Sequence, residues 1–225
     1  MQKYKYETHT HTSEGSKCSR ITAAELVRFY KASGYSGVCI TDHFFNGNTT
    51  VARELSWAER IELLCRGYDN AYGEGNKIGI EVFLGWEYSY ETTDLLTYGL
   101  NKEWLLKHPE IISIGINEYC DLVHEHGGFI VHAHPFREAE YIDMIRLLPR
   151  KVDAIEIYNA CCKNFENKVA VQYADNYKLL KSAGSDNHIG NLYRLFGLQS
   201  VELFKSIEDM IGAIKSGKTD VFACQ

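Results

Sequence analysis

Proline is scarce in this chain, with three residues among 225, and no stretch rich in serine, glycine and proline interrupts it. Linkers and low-complexity segments are commonly built from such stretches, so we expect a single domain, residues 1–225, with a sizeable buried core. No apolar run approaches the roughly 18 residues that a membrane helix needs, and no membrane association is expected. The first residues lead directly into strand-like sequence rather than into a signal peptide.

Paired cysteines and an excess of basic residues are also missing. The seven cysteines are an odd number and include no Cys-x-x-Cys pair, which favours reduced thiols and a cytoplasmic location. The formal net charge of −6 at pH 7 argues against binding of long nucleic acid, because such surfaces are normally basic. A phosphorylated substrate is still compatible with this charge, since bound cations reverse its sign locally.

Apolar runs of strand length alternate with amphipathic stretches of helix length along the chain. One helix is expected to begin at Thr22, which forms a capping box with Glu25. Another is expected to follow a strand at Phe129–His132 and to continue to about Leu148. This alternation predicts parallel βαβ units, and about seven strands favour an α/β barrel over an open sheet.

Polar side chains cluster where these strands are expected to end. They are His9, His11, Asp42, His43, Glu87, His132, His134, Glu156, Asp186 and His188. In a parallel barrel the strand ends share one face, where active sites form. Each motif alone is a weak indication, but His9 and His11 are two apart on a strand and point to the same side. Together the histidines and carboxylates form a nitrogen and oxygen ligand set that suits zinc, iron or manganese.

These residues resemble the motifs of the PHP (polymerase and histidinol phosphatase) family. The matching segments are Glu7-Thr-His-Thr-His11, Thr41-Asp-His43, Gly85-Trp-Glu87, His132-Ala-His-Pro135 and Gly184-Ser-Asp-Asn-His188. The resemblance implies a distorted (β/α)7 TIM-like barrel that holds two or three divalent ions. It also implies phosphoester hydrolysis, which is the activity of most known members.

The family pattern implies a role for each ligand. His9, His11, Glu87 and Asp186 would hold one ion, and Glu87 would bridge to a second ion that is also held by His134. His43 and His188 would hold a third. Two departures add candidates: Asp94 stands where many members have a histidine, and Glu14 lies near a point where some members use a histidine for the third ion. For Asp94 an ordinary helix or turn position is an equal alternative.

Ions held close together predict hydrolysis by a metal-activated water, with Glu87 fixing the separation of two ions. His132 lies on the same side of its strand as His134, and either a supporting role or a hydrogen-bonded core position fits it. Arginine binds phosphate with two parallel hydrogen bonds. Arg137 and Arg194 follow metal motifs and are therefore candidates for contact with the substrate's phosphate, and Arg20 is a third. Glu156 is expected to be structural rather than a ligand.

Two other functions fit parts of this pattern. A metal-dependent amidohydrolase also uses His-x-His after its first barrel strand, although that family usually bridges its ions through a modified lysine. A non-catalytic, metal-stabilised regulatory domain is the other alternative. Among phosphoesterases, the compact chain favours a small phosphorylated substrate, and histidinol phosphate, nucleotides, short oligonucleotides and phosphotyrosine stay open.

Overall fold

The computed structural model of the protein describes residues 2–190 and 194–224. Nine strands occur in this part of the chain, and all belong to one sheet. The strands are β1 (Tyr4–Glu7), β2 (Gly37–Ile40), β3 (Glu81–Tyr90), β4 (Thr93–Tyr98), β5 (Phe129–His132), β6 (Ala154–Asn159), β7 (Leu180–Gly184), β8 (Leu195–Ser200) and β9 (Asp220–Cys224). The helices are α1 (Ala23–Ala32), α2 (Trp57–Ile78), α3 (Lys102–Lys107), α4 (Ile116–Glu125), α5 (Asn164–Tyr177) and α6 (Ile207–Lys215), and a 3₁₀ helix spans Pro109–Ile112.

The sheet curves into a nearly closed barrel, as expected for the α/β class. Its strand order is β7-β6-β5-β4-β3-β2-β1-β8-β9, and β7 at one edge packs against β8 near the other. At this seam the Phe196 backbone N–H donates to Ser185 Oγ at 3.0 Å. The β1–β2, β2–β3, β5–β6 and β6–β7 pairs are parallel. The carboxyl ends of these strands therefore share one mouth of the barrel.

The sheet departs from seven regular (β/α) units in two places. Strands β3 and β4 form an antiparallel hairpin with no helix between them. Its turn residues Glu91 and Thr92 have φ values of 43° and 67°, as a tight hairpin turn requires. Strands β8 and β9 are the second departure, because both pair antiparallel to their neighbours. The barrel-like architecture is confirmed, whereas the count of seven units is not.

The helix predicted after β5 is wrong. Residues 133–153 contain neither helix nor strand, and we call residues 137–150 the rim segment. Arg137 Nη2 lies 2.5 Å from Asp186 Oδ2, and Arg146 Nη1 donates to the Glu91 carbonyl at 2.6 Å. These contacts hold the segment across the barrel mouth. Helix propensity is a weak preference that such tertiary contacts override.

The helices cover the outside of the barrel and position its loops. Helix α1 begins at the predicted capping box, with the Thr22 N–H donating to Glu25 Oε2 at 3.1 Å. Helix α2 packs directly on the loops at the mouth, because a Cβ at Gly67 would lie 2.4 Å from both Thr12 Oγ1 and Asp42 Oδ2. No helix in the described part of the chain combines the length and the apolarity needed to cross a membrane.

Candidate metal centre

Seven of the predicted ligands meet at the mouth of the barrel. Their ligand atoms form three groups, and within each group all atoms lie within 4.8 Å of one another. The groups are His9–His11–Asp186, His9–Glu87–His134 and His11–His43–His188. Strand β3 extends past the end of β2 and carries Glu87 over the mouth. The other ligands follow the ends of β1, β2, β5 and β7.

The His9–His11–Asp186 group has the spacing of ligands around one ion. His9 Nε2 lies 3.2 Å from His11 Nε2, and Asp186 Oδ1 lies 3.5 Å from the first and 3.2 Å from the second. Bonds of about 2.0–2.1 Å in a tetrahedral site give ligand–ligand distances of about 3.4 Å. The three atoms therefore surround a space of the right size for a divalent ion.

Glu87 connects the three groups. Its Oε1 lies 3.3 Å from His9 Nε2 and 3.2 Å from His134 Nε2. Its Oε2 lies 2.7 Å from His43 Nδ1. Both Oε2 and His43 Nδ1 are buried, and neither of these two atoms makes a hydrogen bond to any described residue. A close approach without hydrogen-bond geometry suits atoms that share a cation. A carboxylate has two oxygens and can bridge neighbouring ions, whereas an imidazole offers one lone pair.

Glu156 supports the ligands from behind, as expected for a residue that is not itself a ligand. Its Oε1 lies 2.9 Å from His9 Nδ1, so the Nδ1 proton is directed to Glu156 and Nε2 faces the group. Its Oε2 accepts the His134 backbone N–H at 2.9 Å. Strand β7 comes close here because Gly184 lacks a side chain: a Cβ would lie 2.4 Å from the Cβ of His9.

Asp42 organises the loop that carries His11. Its carboxylate accepts the Thr12 backbone N–H at 2.7 Å, the Thr12 hydroxyl at 2.6 Å and the Ser16 hydroxyl at 2.7 Å. Because the Ser16 hydroxyl proton goes to Asp42, Ser16 Oγ accepts hydrogen bonds from His11 Nδ1 at 3.1 Å and from the His43 backbone N–H at 3.0 Å. The His11 Nε2 lone pair is thereby turned toward the ligand groups.

Two ligands have unusual backbone conformations. His134 and Asp186 have φ values of 29° and 51°, in the left-handed region that residues other than glycine seldom adopt. Such conformations persist where the surrounding contacts enforce them, and they are common at functional sites. Both residues turn the chain at the end of a strand, which directs their side chains over the mouth.

The charges of the groups are strongly coupled. Burial alone would raise the pKa of Glu87, but the charges of His43 and His9 hold it well below its usual value. Burial alone would likewise raise the pKa of Asp186, which the charge of His9 and a hydrogen bond from His11 hold well below its ordinary range. Burial and the charge of His43 lower the pKa of His11 to about 3. The carboxylates are therefore ionised and available as ligands.

Three further candidates occupy distinct positions around the groups. Asp94 borders them, with Oδ2 3.8 Å from His134 Nε2 and Oδ1 accepting the Ser89 hydroxyl at 2.6 Å. Glu14 lies outside the groups. Its Oε2 instead accepts the Ala23 backbone N–H at the start of α1, at 3.0 Å. His132 is buried, its Nδ1 has no described hydrogen-bond partner, and burial lowers its pKa to about 3. It therefore stays neutral and makes no supporting hydrogen bond through Nδ1.

The predicted arginines separate into one at the site and two away from it. Arg137 lines the same cavity as Glu87 and Asp186, whereas Arg194 lies in a different cavity with Tyr158 and Phe196. Arg194 donates there to the Cys162 carbonyl at 3.3 Å and the Asn164 side chain at 3.1 Å. Arg20 is exposed and does not line the cavity that contains Glu87, Arg137 and Asp186. The structure thus brings only Arg137 of the three to the candidate centre.

Cys18 is the residue at the centre that sequence reasoning missed. The neighbouring His188 and His43 lower the pKa of its thiol to about 6, although burial alone would raise it. It lines the cavity that the ligand groups face. A second thiol, Cys161, donates to the Asp186 carbonyl at 3.2 Å and contacts His188. The one sequence indication was the position of Cys18, shortly after the His-x-His motif.

Comparison with known proteins places this geometry in a family. The PHP domain model matches residues 7–216. The chain belongs to the PHP family. No curated protein matches the chain in a sequence search. The PHP assignment agrees with the ligand groups, since this family is metal-dependent.

Solved structures share the fold of this PHP domain. A two-domain Bacteroides vulgatus protein containing a predicted PHP-like metal-dependent phosphoesterase aligns with a TM-score of 0.70 and 15% identity over 98% of this chain. The chain spans 65% of that protein's length. PsfC from Pseudomonas syringae aligns with a TM-score of 0.61 and 18% identity, over 99% of this chain and 92% of PsfC. An amidohydrolase from Chromobacterium violaceum with bound sulfate aligns with a TM-score of 0.53 and 16% identity, over 82% of this chain and 87% of its own.

Proposed function

We propose that this PHP domain is a metal-dependent phosphomonoesterase that acts on a small phosphorylated substrate. The convergence of the ligands and Arg137 on one cavity supports the proposal. The cavity has a volume of about 390 Å³ and is lined by His43, Glu87, Arg137, Asp186 and His188 among others. Sites for small molecules commonly enclose about 300–1,000 Å³, which suits a phosphorylated metabolite better than a polymer.

The residues of the chain divide the work of holding ions and substrate. Bound divalent ions supply an activated water and neutralise charge that develops on the phosphoryl group. The histidines and carboxylates would hold two or three such ions, of zinc, manganese or iron, with Glu87 between the groups. Arg137 approaches Asp186 through one nitrogen, at 2.5 Å, and its side chain is 21% exposed. Its Nη2 also donates to Asn159 Oδ1 at 3.4 Å. The guanidinium lines the cavity, where it would bind a phosphate oxygen.

Uncharged polar side chains around the cavity would contact the rest of the substrate. Asn46, Asn48, Ser89, Thr92 and Tyr141 all line it. Asn and Ser side chains donate and accept hydrogen bonds without adding charge. These residues would bind the part of the substrate beyond the phosphate, while Arg137 and the ions bind the phosphate itself.

The amidohydrolase alternative is less well supported by the same cavity. No lysine lines it among the described residues, so a modified lysine is not positioned to bridge ions there. Glu87 would take the bridging role instead. The likeness to an amidohydrolase at 16% identity concerns the fold alone.

A panel assay tests the proposed function. The protein is stripped with a chelator, reloaded with Mn²⁺ or Zn²⁺ in turn, and assayed for phosphate release from histidinol phosphate, nucleotides, short oligonucleotides and phosphotyrosine. We expect one of the metals to restore phosphate release from a small monoester, and Glu87→Gln to abolish it. Hydrolysis of amides without phosphate release would support the amidohydrolase function. Bound metal without any turnover would support a regulatory domain.

A further inference from the structure

A second cavity beside the metal centre contains two arginines, and we call it the arginine cavity. It has a volume of about 250 Å³ and is lined by Phe45, Asn46, Arg53, Arg60 and Ile112. Asn46 also lines the cavity that contains Glu87 and Arg137, so the two cavities are neighbours. No acidic residue of the described part of the chain lines the arginine cavity.

Arg60 is a buried cation that lacks a counterion in this cavity. It is only 9% exposed, and its Nε and Nη2 are buried without a hydrogen bond to any described residue. Arginine stays protonated in proteins, and buried charges are normally paired. Burial and the positive charge of Arg53 lower the pKa of Arg60, so Arg53 adds repulsion rather than compensation.

Aromatic rings account for the position of Arg60 but not for its unused donors. Its Cζ lies 4.1 Å from the centroid of the Phe45 ring and 5.8 Å from that of the Trp57 ring. These two rings pack edge to face, with centroids 5.3 Å apart. A cation is attracted to the face of a ring, whereas the N–H donors of a guanidinium lie in its own plane. The aromatic contact therefore fixes the group and leaves its in-plane donors for another partner.

We propose that the arginine cavity binds an oxyanion, phosphate or carboxylate, through Arg60 and Arg53. A planar guanidinium matches both anions with paired hydrogen bonds. The cavity is several times larger than the roughly 30 Å³ share of one water molecule, which leaves room for such a group. Arg53 is exposed, so the cavity adjoins solvent. The anion is either free or a second anionic group of a substrate whose phosphate lies in the neighbouring metal cavity.

Phosphate binding to the chelator-stripped, full-length protein tests the site without any metal. Inorganic phosphate is titrated in a calorimeter and against the ¹H–¹⁵N signal of Arg60 Nε, which is assigned by its absence in Arg60→Met. We expect this signal to shift to saturation. Arg60→Met and Arg53→Gln should each weaken binding by about tenfold or more, since a hydrogen bond to a charged group contributes at least about that factor. The titration is repeated in Arg137→Ala, so that phosphate in the metal cavity does not obscure the result.

The controls separate loss of the anion from loss of the fold. Arg66→Gln alters an exposed arginine of the same helix, α2, that does not line the cavity, and it should leave phosphate binding unchanged. Circular dichroism checks that Arg60→Met folds. Arg53→Gln alters an exposed side chain and keeps the test valid if Arg60→Met does not fold.

A substrate series identifies the source of the anion. Monophosphates of alkanediols are compared on the metal-loaded protein with the α,ω-bisphosphates of the same diols, in order of increasing chain length. A bisphosphate preference in kcat/KM, beyond the statistical factor for two equivalent ends, that is lost in Arg60→Met and Arg53→Gln would assign the anion to the substrate. Phosphate binding that depends on Arg60 without such a preference would assign a free anion.

The arginine cavity and the proposed phosphoesterase can fail separately. An Arg60 signal that ignores phosphate, together with no bisphosphate preference, would overturn the anion site and leave the phosphoesterase intact. Phosphate binding at Arg60 in a metal-loaded protein that releases no phosphate from any ester would leave the anion site and overturn the phosphoesterase.

Discussion

Replacement of Glu156 by glutamine tests whether the residues behind the ligands set the metal affinity. Glu156 faces three hydrogen-bond donors, namely His9 Nδ1, the His134 N–H and the Asn159 amide, each at 2.9 Å. Glutamine has one oxygen and one NH₂ group, so it cannot accept at both ends. If its oxygen faces His9, its NH₂ opposes the other two donors. If its NH₂ faces His9, the ring must accept at Nδ1, and the proton moves to Nε2, which faces the ions.

Either orientation weakens the grip of His9 or His134 on its ion. Outer partners of this kind change metal affinity by about 10–100-fold, which corresponds to about 1.4–2.7 kcal/mol. Competition with a chromophoric chelator measures the affinity, and circular dichroism checks the fold. The matched control is Glu166→Gln, another buried carboxylate that accepts a backbone N–H, from Lys163 at 2.8 Å, but contacts no ligand. A folded Glu156→Gln protein with unchanged affinity would refute the reasoning.

Three other perturbations have defined outcomes. Asp42→Asn replaces a hydrogen-bond acceptor facing Thr12 by a donor, which should lower the free energy of unfolding by about 1–3 kcal/mol. The corresponding fall in Tm is roughly 2–12 °C, measured by scanning calorimetry, and an unchanged Tm would contradict this. Arg137→Ala should raise KM for a phosphate monoester while bound metal is retained, and unchanged kinetics would remove Arg137 from the site. Burial alone would lower the pKa of His9 and His43, but nearby carboxylates raise both well above the usual value. Metal binding at neutral pH should therefore release protons and weaken as pH falls. Titration calorimetry in buffers of different ionisation enthalpy should then give binding enthalpies that depend on the buffer, and buffer-independent enthalpies would contradict this.

The ligand positions were predictable because they depend on local spacing. His9 and His11 are two residues apart, and the other ligands each follow a strand whose apolar run is visible in the sequence. Parallel strands bring such positions to one mouth whatever the intervening loops contain. The α/β barrel class followed from the same alternation, although the β3–β4 hairpin and the β8–β9 pair did not.

The parts that were not predictable depend on contacts between distant segments. The rim segment has an amphipathic pattern but does not form a helix, because Arg137 contacts Asp186 and Arg146 contacts Glu91. Cys18 reaches His188 only because the loop after β1 folds against the end of β7, as the His11 N–H to Asn187 carbonyl bond of 3.0 Å shows. No local pattern encodes such approaches, so a cysteine near a metal motif carries little information before the fold is known.

Anomalous diffraction from crystals of the reconstituted protein tests the metal centre most directly. Data collected on both sides of the zinc absorption edge locate bound ions independently of any activity. We predict anomalous peaks among His9, His11 and Asp186 and between Glu87 and His134, with a further peak beside His43 and His188. Fully loaded crystals with no peak at these side chains, or with peaks only at other surface residues, would contradict the account.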